Sequence, residues 1–200
     1  FLVDTQGTVR LAASNSPEFV CNYLLEQMSA VLESGQVRFV DFHRDGPGGS
    51  IHLSVLVPIR KPVPDGNPLG VLVLRIDPKT YLYPFINNWP VQSDTAETLI
   101  VRRDGSDALF LNELRFNKNA ALNLRIPLDR TDTPAVAAVL GHEGLMEGVD
   151  YRGVPVVAVT RSVPDSPWFL IARMDRAEIY APIRQRLWLV IVLVTVLLFG

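Results

Sequence analysis

Two kinds of hydrophobic spacing run along this 200-residue chain, and they alternate in a fixed order. Leu2-Val3-Asp4 and Val9-Arg10-Leu11 flank Thr5-Gln6-Gly7 and predict a hairpin. Phe19, Val20, Tyr23, Leu24, Met28, Val31 and Leu32 then recur at helical spacing. Ser16 suits the N-cap of that helix, Pro17 its first position, Glu18 its first turn, and Gly35 its C-terminal stop. Residues 37–42, 51–59 and 69–76 follow as three strands, separated by Gly46-Pro47-Gly48-Gly49 and by the turn-rich stretch 62–68. In the middle strand Leu53, Val55, Val57 and Ile59 alternate with His52, Ser54, Leu56 and Pro58. One face of it is apolar, which predicts a sheet packed on one side by a helix.

The second half repeats that order. A connector over 78–90 carries Tyr81, Tyr83, Phe85 and Trp89. Residues 99–103 and 108–111 then flank Asp104-Gly105-Ser106, a helical stretch over 134–140 stops at Gly141, and strands are predicted over 145–151, 154–163 and 168–174. Residues 176–186 read as helix and lead into 187–199, which is apolar except for Thr195. That stretch has no polar face. A bilayer span needs about 20 apolar residues, so this is the expected start of a transmembrane helix, with a buried C-terminal helix as the competing reading. Trp188 stands where an interfacial aromatic belongs, while Arg184 and Arg186 on the same flank would, by the positive-inside rule alone, put that flank in the cytoplasm.

The two halves also share wording. Leu72-Val73-Leu74-Arg75-Ile76-Asp77 and Leu170-Ile171-Ala172-Arg173-Met174-Asp175 lie ninety-eight positions apart. The same offset relates Pro84 to Pro182, Val3 to Val101 and Gly7 to Gly105. A common offset at both ends implies two modules of similar length built alike. The expected fold is α+β: two tandem modules, each an antiparallel sheet with helices, followed by the start of a transmembrane helix. Their expected limits are 1–84 and 90–180, with 181–200 leading into the membrane. The repeated Arg-x-Asp ends are read as a structural device that fixes the turn into the next helix.

Composition removes several function classes. A net charge of −2, without a basic patch interleaved with aromatics, gives no case for nucleic acid. Cys21 is the only cysteine, so no intrachain disulfide forms, and its place in an apolar helical pattern reads as a small buried hydrophobe. The chain begins at Phe1 rather than Met and is taken as a fragment. No Gly-x-Gly-x-x-Gly follows a strand, no Walker loop or Gly-x-Ser-x-Gly elbow is present, and His142-Glu143-Gly144 lacks the second histidine of a zincin. No catalytic residues, cofactor or metal site are therefore expected, and the segment is read as non-enzymatic.

Hairpin, helix and three strands, given twice outside a membrane helix, resemble the double Cache sensor family, the tandem PAS-like extracytoplasmic domains of bacterial and archaeal membrane receptors. The anchors are Leu2 through Gly7, Leu69 through Asp77, Asp150-Tyr151-Arg152-Gly153-Val154-Pro155-Val156, and Ser166-Pro167-Trp168-Phe169-Leu170. The resemblance implies a membrane-distal and a membrane-proximal module, a small ligand held in the distal one between sheet and covering loops, a homodimer, and an inner-membrane receptor with this segment in the periplasm. It implies a sensor histidine kinase, with a chemoreceptor, a diguanylate cyclase or a partner-binding scaffold as alternatives. Amino-acid-binding members carry a Tyr, Arg, Trp, Tyr, Asp pattern. The corresponding Val37-Arg38-Phe39-Val40-Asp41-Phe42-His43-Arg44 lacks the tryptophan and the neighbouring tyrosine, so an α-amino-acid ligand does not carry over.

The candidate ligand-binding residues are Arg38, Asp41, His43, His52, Tyr81 and Tyr83, for an organic acid or an amine. Alternation puts Arg38 and Arg44 on one strand face and Asp41 and His43 on the other. A guanidinium can hold a carboxylate by two parallel hydrogen bonds, and an aspartate can accept from an amine. Solvated strand charges are the competing reading for Arg38, Asp41 and His43, and a structural or surface role for His52. Packing of a seam between modules competes for Tyr81 and Tyr83. In the second module Glu147, Asp150, Tyr151 and Arg152, and separately Asn112, Glu113 and Arg115, either line a pocket or express ordinary hairpin polarity.

Overall fold

The structure, a computed structural model, describes residues 1–13, 20–46, 48–62 and 66–199. It falls into two compact units, Phe1–Leu82 and Tyr83–Gly200. The expected capping residues Ser16, Pro17 and Glu18, with Phe19, lie outside the described residues.

The first unit is built from β1 (Leu2–Asp4), β2 (Val9–Leu11), α1 (Asn22–Ser34), β3 (Arg38–Arg44), β4 (Ile51–Arg60) and β5 (Pro68–Ile76). The five strands form one antiparallel sheet in the order β2-β1-β5-β4-β3. Cys21 is the N-cap of α1, with extended backbone and no side-chain cap bond. Gly35 ends the helix at φ 67°, a left-handed conformation that a side chain would strain, and its N–H reaches the Val31 carbonyl.

Register decides which sheet face α1 covers. Leu56 opposes Val73, Pro58 opposes Val71, Val71 opposes Val3, and Val40 opposes Ser54. Leu24, Met28 and Val31 of α1 pack on Val3, Val40, Leu56, Val71 and Val73. The helix therefore sits on the Ser54/Leu56 side of β4, and the continuous row Leu53, Val55, Val57, Ile59 faces away from it. Valines on the flanking strands complete the α1 face, which alternation along β4 alone does not show. On the far face Phe39, Leu74 and Ile76 are exposed.

A short helix, α2 (Leu82–Ile86), precedes the second sheet. That sheet contains β6 (Glu97–Asp104), β7 (Asp107–Phe110), β8 (Arg125–Pro127), β9 (Gly144–Val149), β10 (Pro155–Ser162) and β11 (Trp168–Asp175), with α3 (Pro134–Val139) between β8 and β9. Its order is β8-β7-β6-β11-β10-β9. Apart from the edge strand β8, this is the first unit's order again: second, first, fifth, fourth, third. β8 escaped the sequence pattern because it is three residues long and buries only Ile126. All six residues of α3 are buried, against a core of Leu99, Val101, Phe110, Leu114 and Ile171. α4 (Arg176–Phe199) starts at the residue after β11, runs for 24 residues through Pro182, and buries none of them.

The face assignment is checked by comparing two leucines in chemical denaturation. Leu56, fully buried under α1, should lose about 2–5 kcal/mol of stability on Leu56→Ala. Leu74, 47% exposed on the far face, should lose under about 1 kcal/mol on Leu74→Ala.

Candidate functional site

The α1-covered face of the first unit changes character along its length. Beyond Leu56 and Val73 it continues as Ser54, His52 and Arg75, since Ser54 opposes Arg75. His43 joins this face because of a β-bulge. Up to Val40↔Ser54 the β3–β4 register is regular, and after the bulge His43 opposes His52. One extra residue in β3 reverses which side chains face the helix. Asp41 lies in the bulge and its carboxylate accepts from the Phe42 N–H at 2.6 Å.

These groups converge where β3 turns into β4. Asp45 Oδ1 accepts from Arg75 at 3.0 Å, and its Oδ2 lies 3.1 Å from His52 Nε2. His43 Nδ1 lies 2.8 Å from the Asp41 carbonyl, and its Nε2 3.5 Å from Ser54 Oγ. The Tyr23 ring of α1 stands 5.6 Å from the His43 ring. His52 Nδ1 and Arg75 Nε are buried without a hydrogen-bond partner among the described residues. The cluster has a cation, a carboxylate, two imidazoles and a hydroxyl at one end of an otherwise apolar face. Burial pushes both imidazoles below their ordinary value of 6.5; for His52 the Arg75 charge acts in the same direction, while Asp45 opposes it.

The predicted residues divide accordingly. His43 and His52 come together as opposed residues of one face. Arg38 is exposed, and Asp41 is turned toward its own backbone. Tyr81 is exposed, whereas Tyr83 is buried and donates to the Leu111 carbonyl at 2.7 Å. Asp45 and Arg75 were not among the predicted ligand residues. Their pairing joins positions thirty apart in sequence, and spacing within one strand carries no signal for it.

The second unit holds a denser charged group. Arg173, 1% exposed, pairs with Glu97, with Asp150 at 3.0 Å and with Asp175 at 3.0 Å. Arg152 bridges Asp150, at 2.7 Å, and Asp175. Tyr151 donates to Glu97 at 3.0 Å, and burial and then the Glu97 charge push its hydroxyl up to about 12. Asp175 is the last residue of β11, so the network anchors the residue immediately before α4. In the first turn of α4, Glu178 accepts from Ser93 Oγ, from the backbone N–H groups of Asp94 and Thr95, and from Thr95 Oγ1. Asn112 bonds the Ile100 N–H and the Thr98 and Glu113 carbonyls, and Glu147 meets Arg176 at the surface. The polar residues of this unit thus hold one another and the root of α4.

The fold matches solved sensor domains. At TM-score 0.59 and 18% identity, 92% of this chain aligns with 68% of the ligand-binding domain of the Pseudomonas aeruginosa PAO1 amino-acid chemoreceptor PctB, solved with L-Arg. The chain shares the fold of that domain. The ligand-binding domain of Mlp24 with asparagine aligns at TM-score 0.55 and 14% identity, over 92% of this chain and 70% of that one. The extracellular domain of the candidate histidine kinase mmHK1S-Z2 aligns at TM-score 0.52 and 18% identity, over 82% and 61%. No protein-family model matches the sequence, and no curated protein matches it. α4 contains an 18-residue stretch of mean hydropathy 1.8 and is long and apolar enough, by length and composition, to cross a membrane.

Two measurements follow from the charges. Arg173→Ala leaves buried Glu97 without its cation and Asp150 and Asp175 with Arg152 alone, and should cost about 3–5 kcal/mol in urea unfolding, whereas Arg125→Ala, which breaks the exposed Arg125–Asp104 pair, should cost under about 1 kcal/mol. The histidines give the first unit a pH dependence. Because both are depressed in the folded state, the unfolded chain binds protons first as pH falls through 6.5. Thermal stability of the first unit should therefore be fully present above pH 6.5 and decline below it, and a His43→Gln/His52→Gln variant should flatten that decline.

Proposed function

We propose that this chain is the extracytoplasmic small-molecule-sensing region of a transmembrane receptor in a bacterial or archaeal inner membrane, with its sheets on the periplasmic side and α4 as its link to the membrane. The observation that carries the reading is the direct passage from β11 into an exposed apolar helix, with no connecting loop, in a chain whose two sheets repeat one strand order. The sensor-domain fold of the solved neighbours supports it.

Ligand entry belongs to the first unit. Its cluster keeps His52 Nδ1 and Arg75 Nε buried without partners among the described residues; with the His52 Nε2–H given to Asp45, a ligand donor such as an amine N–H satisfies Nδ1, and a ligand acceptor such as a carboxylate satisfies Arg75 Nε. In the second unit each carboxylate near Arg173 already has a cation or hydroxyl partner, and Nε is the one Arg173 nitrogen left without a partner among the described residues. We assign the organic-acid or amine ligand to His43, His52, Asp45 and Arg75, with Arg38, Asp41, Tyr81 and Tyr83 outside the cluster. The Glu178 bonds and the Asp175 network give α4 a rigid root, so a ligand that prefers one arrangement of the sheets shifts the position of the helix by its differential affinity alone. The receptor works as a homodimer, and the output we infer is a histidine kinase. A chemoreceptor is the second reading, favoured by the amino-acid chemoreceptors among the solved neighbours.

The test is a thermal-shift screen of the 200-residue chain in lipid nanodiscs against organic acids, amines, amino acids, nucleobases and sugars. A ligand at a hundred times its Kd adds about 2.7 kcal/mol to the folded state, a melting shift of several degrees. The shift should disappear in His52→Ala and Arg75→Ala and persist in Arg38→Ala. A flat screen with well-folded protein would favour the partner-binding scaffold.

A further inference from the structure

We infer that the polar end of the first unit is a binding site for a divalent transition-metal ion of the zinc class, held by Cys21, His43 and Asp45. The inference deepens the sensing reading by naming the chemical class that this cluster takes, and rests on that reading only for its physiological meaning.

The Cys21 sulfur, a His43 ring nitrogen and an Asp45 carboxylate oxygen lie within 4.8 Å of one another. They come from three places in the fold: the N-cap of α1, the bulged strand β3 and the turn after it. A tetrahedral zinc-class ion, with bonds of about 2.0–2.3 Å, spaces its ligand atoms roughly 3.3–3.8 Å apart. Closing the remaining ångström or so is within reach of side-chain torsions. Thiolate, imidazole and carboxylate together suit a borderline-soft ion such as Zn²⁺, rather than Mg²⁺ or Ca²⁺, which prefer all-oxygen shells.

Two further features match how proteins prepare such ligands. A ligating histidine characteristically gives its second ring N–H to a carbonyl or carboxylate, which fixes the tautomer. His43 Nδ1 faces the Asp41 carbonyl at 2.8 Å, and because a carbonyl only accepts, Nδ1 carries the proton and Nε2 keeps the lone pair. A ligating carboxylate is itself held by neighbours, and Asp45 is held by Arg75 and His52. His52, 8% exposed, contacts the Asp45 carboxylate through Nε2 at 3.1 Å and keeps Nδ1 unpartnered among the described residues. Arg75 is the cation facing the site, and two anionic ligands offset the divalent charge beside it.

The test is titration of the 200-residue chain in nanodiscs with Co²⁺ and Zn²⁺ alone, followed by absorption spectroscopy. Cys21 is the chain's only cysteine, so a thiolate-to-cobalt charge-transfer band in the unaltered protein identifies this site without any substitution. One Co²⁺ per chain, displaced by Zn²⁺, is expected. Cys21→Ser should abolish the band, and His43→Ala and Asp45→Asn should each weaken Zn²⁺ binding by about 10- to 100-fold. His142→Ala, in the second unit, should leave both unchanged. Melting curves in EDTA confirm that each variant is folded. Absence of the thiolate band, or Zn²⁺ affinity indifferent to His43→Ala in folded protein, overturns the inference. Either result leaves the sensing reading to its own organic-ligand screen, which is run in EDTA so that the two failures are distinguishable.

Discussion

In each sheet a guanidinium on the last strand holds a carboxylate in the turn of the neighbouring hairpin. Arg75 meets Asp45 at 3.0 Å and Arg173 meets Asp150 at 3.0 Å. The two turns are closed alike, by Asp45 N–H to the Ser50 carbonyl and Asp150 N–H to the Val154 carbonyl. A buried guanidinium has to be paired, because its desolvation costs several kcal/mol otherwise. That requirement pins the end of β5 or β11 to the turn of the neighbouring hairpin.

The units answer the requirement differently. Around Arg173 the answer is several carboxylates: Glu97, Asp150 and Asp175 surround it, Arg152 spans two of them, the Phe116 ring lies 4.2 Å from the Arg152 guanidinium, and Arg173 Nε alone lacks a partner among the described residues. Around Arg75 one carboxylate suffices, and the Phe1 ring at 5.6 Å covers its side. The carboxylate-rich cluster stands directly before α4, and the one with a single carboxylate stands beside Cys21 and the two histidines. The two units thus differ in how far each arginine's charge is neutralised.

Much of this architecture is legible in local pattern. The alternations of 51–59, 154–163 and 168–174 correspond to β4, β10 and β11, and the apolar run after Arg186 continues as one helix from Arg176. Gly35 ends α1 as its position after the last apolar turn implied. The shared offset of ninety-eight reflects the shared strand order, because strands that occupy equivalent sheet positions meet similar neighbours.

The sequence by itself determined the elements other than α2 and β8, their order, the repeat and the membrane-type helix, since these rest on propensity and on periodicities of two and 3.6 residues that act over short range. Only the tertiary structure decided which sheet face α1 covers and which side chains meet at the site. The bulge in β3 reversed the face of His43, and a shift of one residue exchanges the two sides of a strand. Arg75 and Asp45 are thirty residues apart, and Cys21, read as a small buried hydrophobe, lies beside His43 and Asp45 only because α1 starts above the end of the hairpin. Such meetings depend on register and packing between strands, for which one strand's own pattern carries no information.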